Sequence, residues 1–311
     1  MVIPKLDSHG ESEKVSVILD MDIGGDIDDT WALAMLLKSP ELDVRLVVTD
    51  TGNTTYRAKI AAKMLETAGR TDIPIGIGLH LSDKTGPQAP WVEGYDLSSY
   101  PGIVYQDGVN ALINTITASK KPITLICIGP VTNIPEALRR EPDIARNARF
   151  VGMCGCIRKS PKGYGGGSGG AVPEYNVAAH PNAYQKVFAE PWDITITPLD
   201  TCGFVTLKGE KYRAVGNCRD PLVQAMIENY RIWSRSLNHP EQFEVRSSTL
   251  FDTVAIYLAF SQELLVIEKL GIQVTDDGYT TINPKAKATN CATEWKDLTA
   301  FEDLLVKRLI D

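Results

Sequence analysis

The hydrophobic residues of the chain fall into short apolar runs that alternate with amphipathic stretches. The apolar runs are rich in β-branched residues and have the length of buried strands. Four of them are residues 15–19, 44–48, 123–128 and 194–197. Helical periodicity falls between the runs, at residues 29–38, 56–68, 109–119 and 182–188. Such alternation predicts an α/β fold with a mostly parallel, doubly wound sheet.

The last third of the chain has a more helical pattern. Its predicted helices are residues 221–236, 251–260 and 298–310. No break in composition marks a linker, no internal repeat is visible, and 311 residues suit one large α/β domain. We therefore predict a single Rossmann-like domain over residues 15–311, with extra C-terminal helices, preceded by a short tail over residues 1–14.

Charge and composition narrow the class of partner. A net charge of −7 disfavours nucleic acid or an anionic membrane surface as a partner. No run of 18 apolar residues predicts a membrane span, and residues 1–14 lack the apolar segment of a signal peptide. The six cysteines lack zinc-site spacing and are typical of free thiols in a reducing compartment. We expect a cytoplasmic protein that acts on a small molecule.

Five aspartates lie within ten residues, directly after the first predicted strand and at the start of the first predicted helix. They are Asp20, Asp22, Asp26, Asp28 and Asp29. Carboxylates this close repel one another, so a fold that gathers them usually supplies a cation. Oxygen-only ligands favour calcium or magnesium. Helix capping explains one or two aspartates but not five. Because ligands bind beyond the carboxyl ends of such strands, we predict a metal site there.

The aspartate cluster resembles the N-terminal signature of the inosine-uridine-preferring nucleoside hydrolase family, in the variant with two extra residues before the Asp-Asp pair. Further stretches match the family in the same order: Gly52-Asn53, Gly129–Asn133, Glu174–Asn176 and Phe251-Asp252. The likeness runs from about residue 15 to the C-terminus. It implies a glycosidase that acts on N-glycosyl compounds and assembles as a homo-oligomer, a dimer or a tetramer.

The resemblance also implies a calcium ion at the floor of the substrate pocket, where it binds a water and the ribose 2′- and 3′-hydroxyls. By motif, the ion would be held by Asp22, Asp29, Asp252 and the backbone carbonyl of Ile128. With the water and the diol, these ligands supply about eight oxygens, which lies within the range of calcium. Asp22 is the implied base that takes a proton from the attacking water.

The same resemblance implies that Asp28, Asn53, Glu174 and Asn176 hydrogen-bond the ribose hydroxyls. By residue type alone, turn positions are favoured for the two asparagines, and a solvated surface position is favoured for Glu174. The two-residue insertion leaves open whether Asp26 or Asp28 contacts the sugar.

The chain departs from the family where the leaving group and the sugar 5′-hydroxyl are bound. Many members carry a histidine before the C-terminal aspartate, which protonates the departing base; here this residue is Phe251. Members without it stack the base between aromatic rings, for which Trp91 and Trp233 are candidates, although isolated tryptophans more often lie in the core. Ser168 replaces a common asparagine near the 5′-hydroxyl. It lies in a glycine-rich loop, residues 163–170, which we expect to form a wall of the site.

Three functions follow from these observations. The favoured one is hydrolysis of the N-glycosidic bond of a ribonucleoside or related riboside. The changes at Phe251 and Ser168 leave room for hydrolysis of another furanoside. A non-catalytic, calcium-dependent sugar-binding protein ranks third, because Asp22 is retained. If a different acid assists the leaving group, Tyr175 and Tyr105 are the first candidates.

Overall fold

A ten-stranded sheet forms the middle layer of the protein. The computed structural model describes residues 14–237 and 240–311, so the predicted tail, apart from Lys14, lies outside the described residues. The strands are β1 (Val15–Met21), β2 (Leu42–Thr49), β3 (Ile75–Ile77), β4 (Val104–Tyr105), β5 (Ile123–Cys127), β6 (Ala148–Met153), β7 (Ile194–Thr197), β8 (Leu265–Val274), β9 (Thr280–Ile282) and β10 (Ala288–Trp295).

The order of the strands shows where the chain reverses its course. The order is β4-β3-β2-β1-β5-β6-β7-β10-β8-β9. Neighbouring strands from β4 to β10 pair parallel, whereas β8 pairs antiparallel with β10 and with β9. The chain adds strands on one side of β1 up to β4 and then adds β5 on the other side. This reversal opens a crevice at the carboxyl ends of β1 and β5.

Helices cover both faces of the sheet. In the described part of the chain they are α1 (Asp28–Leu37), α2 (Thr54–Thr67), α3 (Gly108–Ala118), α4 (Asn133–Arg140), α5 (Tyr175–Ala179), α6 (Pro181–Ala189), α7 (Leu199–Cys202), α8 (Gly209–Asn217), α9 (Pro221–Ser234), α10 (Thr253–Leu258) and α11 (Leu298–Ile310). Each predicted helix forms, with its ends shifted by a residue or two. The predicted fold class is confirmed. No helix in these described segments is long and apolar enough to cross a bilayer.

The alternation of side chains along β1 explains why both faces of the sheet carry helices. Val17 and Leu19 belong to an apolar cluster that includes residues of α1, α2, α9 and α10. Ile18 belongs to a second cluster, with residues of α3, α4 and α6. All three side chains are fully buried. Because successive residues of a strand point to opposite faces, a strand covered on both sides has an uninterrupted apolar sequence.

The last third of the chain contains three strands in addition to the predicted helices. β10 pairs parallel with β7, and β8 and β9 extend the sheet beyond it. Many residues of β8 are only half-buried, since one face of this antiparallel part is partly exposed. The mixed polar and apolar sequence of β8 and β10 therefore lacks the apolar run that identified the central strands.

Candidate active site

A pocket of about 370 Å³ opens at the carboxyl ends of β1, β5 and β6. Asp22 follows β1, Ile128 follows β5, and Met153 ends β6, and all three residues line the pocket. The helices α1 and α5, and Asp252 directly before α10, bring further polar side chains to the same cavity. The pocket thus lies in the crevice that the strand order creates.

Three buried carboxylates form the floor of this pocket: Asp28, Asp29 and Asp252. One oxygen of each lies within 4.8 Å of the others. Asp28 and Asp29 begin α1, Asp252 directly precedes α10, and the two helices pack against each other. The three residues are 5%, 2% and 2% exposed. Burial, followed by repulsion from neighbouring carboxylates, raises the pKa of each well above the usual range.

The donor atoms at the floor fit a hard divalent cation. The ligands available are carboxylate oxygens and the backbone carbonyl oxygen of Ile128, which lines the same pocket. That carbonyl accepts one hydrogen bond from Asn176 and keeps a second lone pair. A cation at the floor would compensate the mutual repulsion of the carboxylates, which is one cause of their raised pKa values.

Asp22 lies beside the floor and has the properties of a base. Its backbone N–H donates to a carboxylate oxygen of Asp29 at 3.1 Å. Burial raises the pKa of the Asp22 carboxyl to about 6, although the nearby positive charge of Arg57 lowers it. Because this value lies below neutral pH, Asp22 is mostly ionised there and can accept a proton.

Arg57 is a site residue that the sequence did not single out. Its guanidinium lies 3.7 Å from the carboxylate of Asp22 and donates to the carbonyl oxygens of Thr51 and Ile23 at 2.8 and 2.9 Å. These bonds tie the loop after β2 to the loop after β1. Arg57 lies inside α2, where an arginine carries no sequence signal of its own, and only the tertiary fold brings it to the pocket.

Glu174 and Asn176 form one wall of the pocket. The carboxylate of Glu174 caps α5 by accepting from the backbone N–H groups of Asn176 and Val177 at 2.8 and 3.3 Å. It also accepts from the N–H of Gly155, after β6, at 3.0 Å. Burial nevertheless raises the pKa of Glu174 to about 7. The amide of Asn176 donates to the carbonyl oxygens of Ile128 and Met153 at 3.1 and 3.2 Å. Both side chains are therefore fixed by backbone groups while they face the cavity.

Asp26 and Asp28 both line the pocket but at different depths. Asp28 is buried at the floor beside Asp252. Asp26 is exposed, and its carboxylate accepts from the backbone N–H of Ile27 at 2.7 Å. Asp28 is thus the one of the two that lies next to the candidate metal ligands.

Asn53 is not among the residues that line the pocket. Its side-chain oxygen caps α2 by accepting from the N–H of Tyr56 at 3.0 Å, and its amide donates to the carbonyl of Asp83 at 3.0 Å. It borders a separate hollow on the surface. Asn53 therefore caps a helix after a turn, as its residue type already indicated. The contact with the ribose that the family resemblance implies has no support in this geometry.

Trp91 and Ser168 also lie outside the residues that line the pocket. The Trp91 ring is buried, donates to Glu228 at 3.1 Å and carries the Lys63 ammonium 4.3 Å from its centroid. Ser168 is exposed in the glycine-rich loop. The predicted base contact at Trp91 and the predicted 5′-hydroxyl contact at Ser168 therefore have no support in these positions.

Four aromatic side chains line the pocket: Tyr175 and the three that we call the rim, Trp233, Phe251 and Tyr164. The indole of Trp233 donates to the carbonyl of Gly25 at 3.2 Å. Tyr164 belongs to the glycine-rich loop and packs edge-on against Phe251, with 5.9 Å between ring centroids. The predicted loop wall is thus present, but it reaches the cavity through Tyr164 and not through Ser168.

The turn after β5 follows the pocket residue Ile128 and has an unusual backbone. Val131 has a φ of 55°, a left-handed conformation that is rare for a β-branched residue. Next to it, the backbone N–H of Thr132 donates to the carboxylate of Asp50 at 2.9 Å. The amide of Asn133 donates to the carboxylate of Asp20 at 2.8 Å. These two hydrogen bonds hold the strained turn in place.

Comparison with known proteins identifies the family. The sequence model of the inosine-uridine preferring nucleoside hydrolases matches residues 17–303, which is most of the chain. The chain belongs to this family. The resemblance predicted from the motifs and the predicted enzyme class, a glycosidase acting on N-glycosyl compounds, are confirmed.

Two relatives of this nucleoside hydrolase cover nearly the whole chain. A probable uridine nucleosidase 2 from Arabidopsis thaliana is 26% identical over 302 residues, which span 92% of this chain and 91% of that protein. The pyrimidine-specific ribonucleoside hydrolase RihA from Escherichia coli O1:K1 / APEC is 27% identical over 327 residues, spanning 94% and 97%.

Solved structures share the fold. A plant nucleoside hydrolase superposes with a TM-score of 0.78 at 22% identity, covering 95% of this chain and 99% of the other. A purine-preferring ribonucleoside hydrolase from Gardnerella vaginalis superposes with a TM-score of 0.76 at 20% identity, covering 94% and 98%. At these identities the superpositions establish the common architecture.

Proposed function

We propose that this protein hydrolyses the N-glycosidic bond of ribonucleosides, or of closely related ribosides, with the help of a bound calcium ion. The observation that carries the proposal is the floor of three buried carboxylates with Asp22 beside it. Glu174 and Asn176 line the same cavity. Family membership supports the reaction class, and the all-oxygen donor set supports a hard cation.

The proposed ligands of the ion are Asp22, Asp29, Asp252 and the carbonyl oxygen of Ile128. Asp28, the third carboxylate of the floor, is placed to bind either the ion or a sugar hydroxyl. When bound, calcium lowers the pKa of a water and orients the ribose 2′- and 3′-hydroxyls. Asn53 is left out of the sugar contacts, because its side-chain oxygen and amide are used in capping α2 and bonding Asp83.

In the proposed reaction, Asp22 accepts a proton from the water as the water oxygen attacks the anomeric carbon. The bond from this carbon to the base nitrogen breaks, and the sugar gains positive charge. Asp28 and Glu174 face the same cavity and stabilise this charge. Asn176 completes the wall beside the ribose, and its orientation is fixed by two backbone carbonyls. The base leaves toward the aromatic rim, where Trp233 and Phe251 provide flat apolar surfaces.

Release of free ribose from a panel of purine and pyrimidine nucleosides tests this function. We expect chelator-stripped protein to be inactive and added calcium to restore activity. The Asp143→Ala variant, which removes an exposed carboxylate far from the pocket, should respond to calcium as the unmodified protein does. Ribose release that persists after complete removal of the ion would contradict the metal assignment.

A second candidate is hydrolysis of another furanoside. The observation that favours it is the exposed position of Ser168, because the expected contact to the 5′-hydroxyl is missing. Ribosides modified at C5′ and other furanosides belong in the same panel. Calcium-dependent sugar binding by calorimetry without turnover on any member of the panel would support a binding protein instead.

A further inference from the structure

The rim of the pocket presents a problem for the leaving group. Phe251 stands directly before Asp252, and a phenyl ring cannot donate a proton or a hydrogen bond. A purine or pyrimidine leaves with negative charge on its ring unless the ring is protonated, and a hydrogen-bond donor stabilises that charge. Of the tyrosines suggested from the sequence, Tyr105 borders a different hollow. Tyr175 lines the pocket but is 63% exposed.

A third tyrosine, Tyr164, lies next to the phenyl ring itself. Its ring packs edge-on against Phe251, with 5.9 Å between centroids, and it lines the pocket. Its phenolic oxygen accepts a hydrogen bond from the backbone N–H of Tyr175 at 3.1 Å. Among the residues that the structure describes, no acceptor takes the proton of the Tyr164 hydroxyl. The hydroxyl is therefore available to donate a hydrogen bond to a ligand.

The glycine-rich loop holds Tyr164 in a defined place. The N–H of Tyr164 donates to the carbonyl of Pro161 at 3.1 Å, and its own carbonyl accepts from Gly167 at 2.8 Å. The base of the loop is fastened by a bond of 2.7 Å from the Ser160 hydroxyl to the carbonyl of Gly170. A donor that is fixed before the substrate arrives stabilises developing charge more than a mobile one.

We propose that Tyr164 is a catalytic residue that donates a hydrogen bond from its hydroxyl to the departing base. This inference rests on the proposed N-ribohydrolase function. The anomeric C–N bond breaks, and its electron pair stays on the base. The water oxygen forms the new bond to the anomeric carbon, and a water proton passes to Asp22.

The Tyr164 hydroxyl keeps its proton throughout this step and shares it with the base atom on which negative charge collects. The base then takes a proton from solvent, and Asp22 returns one to solvent, so that riboside and water give ribose and free base. Burial raises the pKa of the Tyr164 phenol, which agrees with a hydroxyl that stays protonated at neutral pH. The bond from the Tyr175 N–H to the phenolic oxygen polarises the hydroxyl further.

The test compares a substrate whose leaving group needs help with one whose leaving group does not. Nitrophenyl riboside releases an anion that is stable near neutral pH, whereas inosine and uridine do not. In Tyr164→Phe, which keeps the ring against Phe251, we expect kcat/KM on inosine or uridine to fall by about 10²-fold, as for loss of one preorganised donor. The rate on nitrophenyl riboside should change little.

The ratio of the two rates in one preparation is the decisive quantity, because a partly unfolded variant lowers both rates equally. Tyr105→Phe, which removes a hydroxyl outside the pocket, should leave the ratio unchanged. An equal fall on both substrates would overturn the proposal and assign the hydroxyl to loop structure or to the sugar. Unchanged rates on both substrates in Tyr164→Phe would also overturn it. If the unmodified protein cleaves nitrophenyl riboside but no nucleoside, Tyr164 does not assist the leaving group. If it cleaves neither, the proposed function itself is refuted.

Discussion

The floor and the rim of the pocket meet at two consecutive residues, Phe251 and Asp252, but they are built differently. The floor is charged and comes mainly from one local segment, the start of α1. The rim is aromatic, and its three side chains come from the glycine-rich loop, from α9 and from the segment before α10. In the proposed reaction the floor acts on the sugar, which is common to all substrates. The rim meets the leaving group, which differs between them, so changes at the floor should affect every substrate and changes at the rim only some.

The largest expected effect is at the floor, in Asp29→Ala. Loss of this carboxylate should abolish calcium binding and lower turnover on every substrate by roughly 10³-fold or more, since metal assistance contributes several kcal/mol. Calorimetry on chelator-stripped protein and ribose release measure the two effects. Asp143→Ala, with its exposed carboxylate, is the matched control. Unchanged calcium binding in Asp29→Ala would remove this residue from the metal site.

Asp22→Asn separates the base from the ion. The amide keeps the shape of the side chain but cannot accept the proton, so turnover should fall by roughly 10²-fold or more on nucleosides and on nitrophenyl riboside alike. Calcium binding should weaken less than in Asp29→Ala. Near-normal turnover with the ion bound would assign the base to another residue, and Glu174, whose pKa burial raises to about 7, would be the next to examine.

A change at the rim, Phe251→His, should act on the leaving group alone. In the unmodified protein we expect nitrophenyl riboside to be cleaved faster than inosine or uridine. An imidazole at position 251 adds a donor, so the ratio of the nitrophenyl riboside rate to the nucleoside rate should fall by about 10-fold. This change is smaller than the 10²- to 10⁴-fold rate increase that a fully positioned acid supplies. Parallel kcat/KM measurements on the three substrates give the result. A uniform change on all three would show that the rim also acts on the sugar.

The smallest effect is expected for Trp233→Phe. This variant keeps an aromatic ring but loses the bond to the carbonyl of Gly25, so KM for nucleosides should rise a few-fold with little change in kcat. Trp91→Phe is the matched control, because that ring lies buried between Lys63 and Glu228 and not at the pocket. It should lower thermal stability and leave KM unchanged. Equal KM values in all three proteins would remove Trp233 from base binding.

The sequence predicted the floor better than the rim, for a physical reason. The floor depends on a strand followed by a helix start, and both the apolar run before Asp22 and the acidic first turn of α1 are local signals. Trp91 and Trp233 have no local signal that distinguishes them. Tertiary packing alone places Trp91 in the core and Trp233 at the pocket. The sequence did not indicate Arg57 for the same reason. Its guanidinium joins the loops after β1 and β2, and these loops come together only in the folded protein.

The strands of the sheet differ in the same way, since some have a local sequence signal and others do not. The central parallel strands are buried on both faces, and their apolar runs predicted them well. β8 and β10 are stabilised by cross-strand pairing at one end of the sheet, and β8 has no continuous apolar run. Their place beside β7 depends on long-range contacts that a local pattern does not contain.

The backbone of Val131 has a consequence for attempts to improve this protein. A β-branched residue in the left-handed region carries strain of roughly 1–2 kcal/mol, and the strained turn directly follows the segment that contains Ile128. Substitutions that relieve such strain commonly stabilise a protein. Where the strained turn helps to shape an active site, the same substitutions tend to lower activity. Selection for heat resistance and selection for turnover should therefore favour different residues at this position.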